Sequence, residues 1–107
     1  MKHYDTLDGF VSDLPALAAG AKERLAGQTG LFRLETKQGR VVNLRMEDGA
    51  VTLPETVDSE PDCVLSADEQ DLLGIINGSL HPAKALLFGK VRVKGNPAKI
   101  LSLISLL

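Results

Sequence analysis

The chain has 107 residues, 44% of them hydrophobic and 24% charged, with a formal net charge of −2. This length suits a single domain over residues 1–107, while the charge lacks both the basic footprint of a nucleic-acid binder and a general pull toward anionic membranes. The lone Cys63 excludes an internal disulfide and a cysteine-based zinc site, and no apolar run approaches the roughly 20 residues of a membrane-spanning helix.

The N-terminal stretch MKHYDTLDGFVSDL carries no apolar run of the signal-peptide kind, because Asp5, Asp8 and Asp13 interrupt it. A cytoplasmic location is expected. Leu7, Phe10, Val11, Leu14, Leu17, Ala18, Ala21 and Leu25 follow helical spacing. Pro15 lacks an N–H and crowds the preceding turn, so the pattern predicts a short first turn. A helix then restarts with Ser12 or Asp13 as N-cap and Pro15 in its first turn. Gly27 is the expected stop.

From Leu31 the period changes to two. Phe32 and Leu34 share a face opposite Arg33 and Glu35, and Lys37-Gln38-Gly39 reads as a turn. Val42, Leu44 and Met46 alternate with Val41, Asn43 and Arg45. Asp48-Gly49 then marks a hairpin, because both turn positions need positive φ. Val51 and Leu53 continue the pattern to Pro54, which completes a three-stranded meander. Residues 54–62 form an acidic loop with two prolines, and Cys63 to Leu65 is a short strand.

Ser66-Ala67-Asp68-Glu69 fits a capping box, with Ser66 as N-cap and Glu69 reaching back. Leu72, Leu73, Ile75 and Ile76 follow on a helix that stops near Gly78. Pro82 opens another helix, which Gly89 ends. Lys90 to Lys94 alternates, with Val91 and Val93 inward. Asn96 caps a last helix whose Ile100, Leu101, Leu103, Ile104 and Leu107 cover one broad side. This order lacks the regular strand–helix rhythm of a doubly wound fold and predicts an α+β domain with a largely antiparallel sheet.

The run SADEQDLLGIINGSLHPAKALLFGKVRVKGN resembles the sterol carrier protein 2 family. The likeness is carried by Ser66-Ala67-Asp68, Leu72-Leu73, Gly78, Pro82, Ala85, Phe88-Gly89-Lys90, Val91, Val93 and Gly95-Asn96. It is best from about Pro61 onward, and the hairpin at Asp48-Gly49 agrees in layout. The resemblance implies a five-stranded, largely antiparallel sheet with helices packed on one face, enclosing a hydrophobic tunnel. It further implies non-catalytic binding of a fatty acid, acyl-CoA, isoprenoid or sterol-like lipid. The end, SLISLL, departs from the eukaryotic pattern by lacking a peroxisomal tripeptide.

Candidates for the lipid-binding lining are Phe32, Leu34, Val42, Leu44, Leu65, Leu73, Ile76, Leu86, Leu87, Phe88, Ile100, Leu103, Ile104 and Leu107. In sequence, side chains facing a tunnel and side chains filling a core look alike. Lys90, Arg92 and Lys94 form either a solvated strand face or a basic strip for a headgroup or membrane surface. His3 and His81 stand isolated, and Cys63 reads as a small structural hydrophobe.

No G-x-S-x-G, H-E-x-x-H, P-loop or G-x-G-x-x-G motif occurs. Ser79 and His81 lie close together, but no acidic orienter accompanies them. No catalytic residue, metal or cofactor is expected. The expected partners are a lipid and, transiently, a membrane, with no nucleic acid, on a monomer or weak homodimer. The competing expectation is an interaction or dimerisation module serving a lipid-pathway enzyme, with the tunnel collapsed.

Overall fold

A computed structural model of the chain describes residues 3–96 and Lys99. Its elements are α1 (Leu7–Gly20), α2 (Lys22–Leu25), β1 (Gly30–Thr36), β2 (Val41–Glu47), β3 (Ala50–Thr52), β4 (Cys63–Ala67), α3 (Glu69–Ile76), α4 (Pro82–Leu87) and β5 (Val91–Gly95). The strands form one sheet in the order β3-β2-β1-β4-β5. Three neighbour pairs are antiparallel, and only β1 and β4 run parallel. The α+β, mostly antiparallel architecture expected from the sequence is therefore present.

The meander follows from its turns. Asp48 and Gly49 take φ of 48° and 83°, the pair of positive values that a two-residue hairpin turn demands. Neighbouring loop residues hold that turn in place. The N–H of Gly27 donates to Asp48 Oδ1 at 2.6 Å, and the N–H of Gly49 donates to the Gln28 carbonyl at 2.9 Å. At the other end, Thr36 closes the Lys37-Gln38-Gly39 turn by accepting the Arg40 N–H on its hydroxyl at 3.0 Å.

The helices bury a single stripe against one face of the sheet. Leu7, Phe10, Val11, Leu14 and Ala18 of α1 are buried, as are Leu72, Leu73, Ile75 and Ile76 of α3. The N-terminal segment is clamped to the end of α3 by two reciprocal bonds. The Tyr4 N–H donates to Asn77 Oδ1 at 2.9 Å, and Asn77 Nδ2 donates to the Tyr4 carbonyl at 2.8 Å.

Two local expectations are corrected. Pro15 does not divide α1, which runs unbroken through it from an N-cap at Thr6 whose hydroxyl accepts the Gly9 N–H at 3.1 Å. The ring of Pro15 lies on the exposed side, so the loss of one helical bond is set against a buried stripe that continues on both sides of it. Nor is Ser66 the cap of α3. Pairing of β4 with Thr36 and Val91 carries the strand on to Ala67. The cap passes to Asp68, whose carboxylate accepts the Gln70 N–H at 2.8 Å. Glu69 does not reach back, and its own N–H is taken by Gln38 Oε1 at 3.1 Å. The predicted C-terminal helix, with Ile100, Leu103, Ile104 and Leu107, lies outside the described residues.

Candidate functional site

The inner face of the sheet is an ordered apolar surface. Register places Val42, Leu34, Leu65 and Val93 in one row across β2, β1, β4 and β5. Leu44, Phe32 and Cys63 form the next row, and Met46 with Val51 extends the surface toward β3. Period-two alternation brings these residues to one side because successive strand residues point to opposite faces. Against them stand Leu14 and Phe10 from α1, and Leu72, Leu73, Ile75 and Ile76 from α3, all in one buried cluster.

The candidate lining divides into three groups. Phe32, Leu34, Leu44 and Leu65 are 0–2% exposed. Val42, Leu73 and Ile76 are also buried, at 5–7% exposure nearer the margin of the layer. Leu86, Leu87 and Phe88 depart from the expectation and face solvent. The cause is the shortness of α4: its six residues offer one inward position, which Ala85 fills. Ile100, Leu103, Ile104 and Leu107 fall outside the described residues. An enclosed tunnel is not displayed by the described residues.

The same inner layer also includes Met46, Val51, Cys63, Leu72 and Ile75, which the sequence reading left off the lining. Met46 and Val51 carried the signal, since they continue the alternation of Val42 and Leu44. The clamp between Tyr4 and Asn77 left no such trace, because nothing local links residues 73 positions apart.

The opposite face is polar and cationic. Arg33, Arg45, Arg92 and Lys94 alternate outward with Glu35, Asn43 and Ser66. At the sheet end, Gln38 Nε2 donates to Asp68 at 2.8 Å. That bond and the Gln70 N–H hold the Asp68 carboxyl below the usual carboxylate range. Burial, with Asp62 alongside, pushes the Cys63 thiol up, as suits a core position rather than a reactive one. Ser79 and His81 each bond to the backbone. The Ser79 hydroxyl donates to the Gly74 carbonyl at 3.2 Å, and His81 Nδ1 accepts the Ala83 N–H at 3.1 Å as the cap of α4. Among the described residues no helix is long and apolar enough to cross a membrane.

Comparison with known proteins agrees with this architecture. The model of the SCP-2 sterol transfer family matches residues 10–107. Bovine sterol carrier protein 2 is 30% identical over 104 residues, covering 85% of this chain and 19% of the relative. The chain thus spans under a fifth of that protein's length. A double mutant of the sec-alkyl sulfatase PisA1, an enzyme of a Pseudomonas species, superposes with a TM-score of 0.81 at 18% identity. That match covers 95% of this chain and 16% of the sulfatase. Palmitated SCP2L2 from Aedes aegypti superposes with a TM-score of 0.68 at 20% identity, over 94% of this chain and 92% of that one. With the family pattern running through the meander, α3, α4 and β5, the chain belongs to the SCP-2 sterol transfer family.

Proposed function

We propose that this protein binds a lipid and carries it between sites in the cytoplasm without catalysing a reaction on it. The observation that carries the reading is the family match over residues 10–107, which spans the whole apolar inner face. Phe32, Leu34, Val42, Leu44 and Leu65 on the sheet and Leu73 and Ile76 on α3 are the lining proposed to meet the guest. Their tight packing means that a guest parts helix from sheet as it enters. Hydrophobic transfer supplies about 0.8 kcal/mol per buried methylene, so a chain of roughly ten methylenes gains ~8 kcal/mol against that opening. No specific polar partner is needed for binding of that strength, and flexible aliphatic walls make selectivity for chain length loose.

The palmitated form of the Aedes aegypti protein makes a long-chain fatty acid the first ligand to test. Acyl-CoA, isoprenoid and sterol-like ligands follow. A non-catalytic role is supported by the way Ser79 and His81 are both engaged with the backbone. The test is native mass spectrometry of the purified chain followed by titration with a fluorescent fatty acid. Co-purified lipid, or saturable binding displaced by palmitate, is the expected result. Bare protein that also fails to saturate would remove the proposal.

A further inference from the structure

α4 is held to the fold by one buried side chain, Ala85, and ends in consecutive apolar residues that face solvent. Leu86 is 41% exposed, Leu87 80% and Phe88 69%. Scattered exposed apolar residues are ordinary, but a contiguous run of two branched chains and a ring marks a contact surface. The backbone at its end is hydrogen-bonded into a turn. The Gly89 N–H donates to the Leu86 carbonyl at 3.2 Å and the Lys90 N–H to the Ala85 carbonyl at 2.9 Å. Gly89, at a φ of 71°, folds the chain back, so the run stands out as a ridge.

Past Gly89, where β1 and β4 end and β5 begins, an open recess of about 420 Å³ lies at the end of the sheet. Lys37, Lys90 and Arg92 line it with the Ser66 hydroxyl, and Glu35 is its one carboxylate. Lys84 stands on α4 itself. Among the described residues no ion pair engages Lys84, Lys90 or Arg92. An apolar ridge therefore sits within a local excess of positive charge, on a chain whose net charge is −2.

We infer that this corner docks the protein on a bilayer rich in anionic phospholipid. Leu87 and Phe88 enter the interface, Lys84, Lys90 and Arg92 meet phosphate groups, and the recess takes one headgroup. The ridge is too narrow to be a stable protein–protein interface, which buries about 800 Å² on each partner. A bilayer asks for less, since a few apolar anchors beside several cations hold a peripheral protein reversibly. The inference adds the place where a carrier would meet its membrane, and it can be measured with no cargo present.

The experiment is co-sedimentation of the whole chain with phosphatidylcholine vesicles and with vesicles holding about 30 mol% phosphatidylserine, at low and high salt. Two double variants are compared, Leu87→Ser with Phe88→Ser and Lys90→Glu with Arg92→Glu. All four positions are exposed, and circular dichroism checks the fold. The expected result is salt-sensitive binding to the anionic vesicles alone, reduced at least about tenfold by either double variant. Fluorescent fatty-acid binding is retained in both. Equal binding to neutral vesicles, or unchanged binding by either variant, would overturn the inference. So would loss of a dimer in Leu87→Ser/Phe88→Ser without vesicles, or joint loss of vesicle and fatty-acid binding. Wild-type protein that docks yet takes no fatty acid would leave the docking face standing and remove the carrier reading.

Discussion

Replacing Phe32 by alanine tests how solid the inner layer is. The ring stands at the middle of the sheet, opposite Leu44 on β2 and Cys63 on β4, and is 0% exposed. All three are sealed by α1 and α3, so collapse around a deleted benzyl group is restricted from every side. Phe→Ala at such a site costs about 3–5 kcal/mol, the transfer term plus the cavity left behind. A domain of this size has a total stability of about 5–15 kcal/mol, so the variant folds with a thin margin or fails to fold. At roughly 4–8 °C per kcal/mol, the melting temperature falls by about 12–40 °C. Urea denaturation followed by far-ultraviolet circular dichroism gives the measurement, with the midpoint shifting and the slope unchanged. Phe32→Leu, which leaves a smaller void, falls between the two. A loss below ~1 kcal/mol would refute the reasoning, because the ring would then border open space rather than protein atoms.

Gly49→Ala is expected to destabilise by about 2 kcal/mol, because a left-handed backbone disfavours a Cβ. That Cβ would also lie 2.8 Å from the Leu25 carbonyl oxygen. Denaturant midpoints measure the loss, and a neutral result would mean that the α2–β3 contact yields freely. Asp68→Ala removes the cap of α3 and lowers the melting temperature at neutral pH, whereas Asp68→Asn keeps an acceptor and loses less. Because the folded-state pKa of Asp68 is depressed, its contribution is present above the unfolded value of about 3.9 and lost as pH falls through the folded one. Thermal melts of wild type and Asp68→Ala should therefore converge in acid, and a constant gap across that range would contradict the assignment. Cys63 is fully buried with its thiol pKa raised, so an aromatic disulfide reagent at mildly alkaline pH labels it no faster than the chain opens. Labelling as fast as a free thiol would show that the core is not closed.

The sheet was legible because its pattern is local. Period-two runs fix the faces of β1, β2 and β5, and Asp48-Gly49 and Lys37-Gln38-Gly39 fix the turns between β1, β2 and β3. What escaped depended on distant partners. Pro15 breaks a helix considered alone, but the α1 stripe from Leu7 to Ala18 is held by the sheet and carries the backbone through. Ser66 has the chemistry of a cap, but β4 is paired on both sides by β1 and β5, and that ladder sets the strand end. The lining was legible as apolar and not as core or tunnel, because Leu34 and Leu65 would carry the same sequence signal in either. Leu87 and Phe88 show the reverse error. Aliphatic and aromatic residues on a short helix read as interior, yet α4 has room for only one inward residue.

If a guest parts the layers, the opening belongs to the element with the least to lose. The centre of the sheet is fixed by ladders on both sides of β1 and β4. α3 is anchored by four buried aliphatic side chains, its Asp68 cap and the Asn77 clamp to Tyr4. α4 has Ala85 alone, with the His81 cap at its start. Local opening free energies run from near zero up to the global value, and few buried apolar contacts place an element at the low end. Hydrogen exchange should therefore be faster at Ala85 and Phe88, whose amides bond to His81 and Lys84 within α4, than at the β1 amides. A fatty acid that binds only the folded chain, at a hundred times its dissociation constant, adds about 2.7 kcal/mol to global stability. The slowest β1 amides exchange by global unfolding and should gain that full increment. The α4 amides gain protection only to the extent that the guest opposes opening of α4 itself. Protection of β1 with no change in α4 would mean that cargo enters by another route, and α4 would then be left with docking alone.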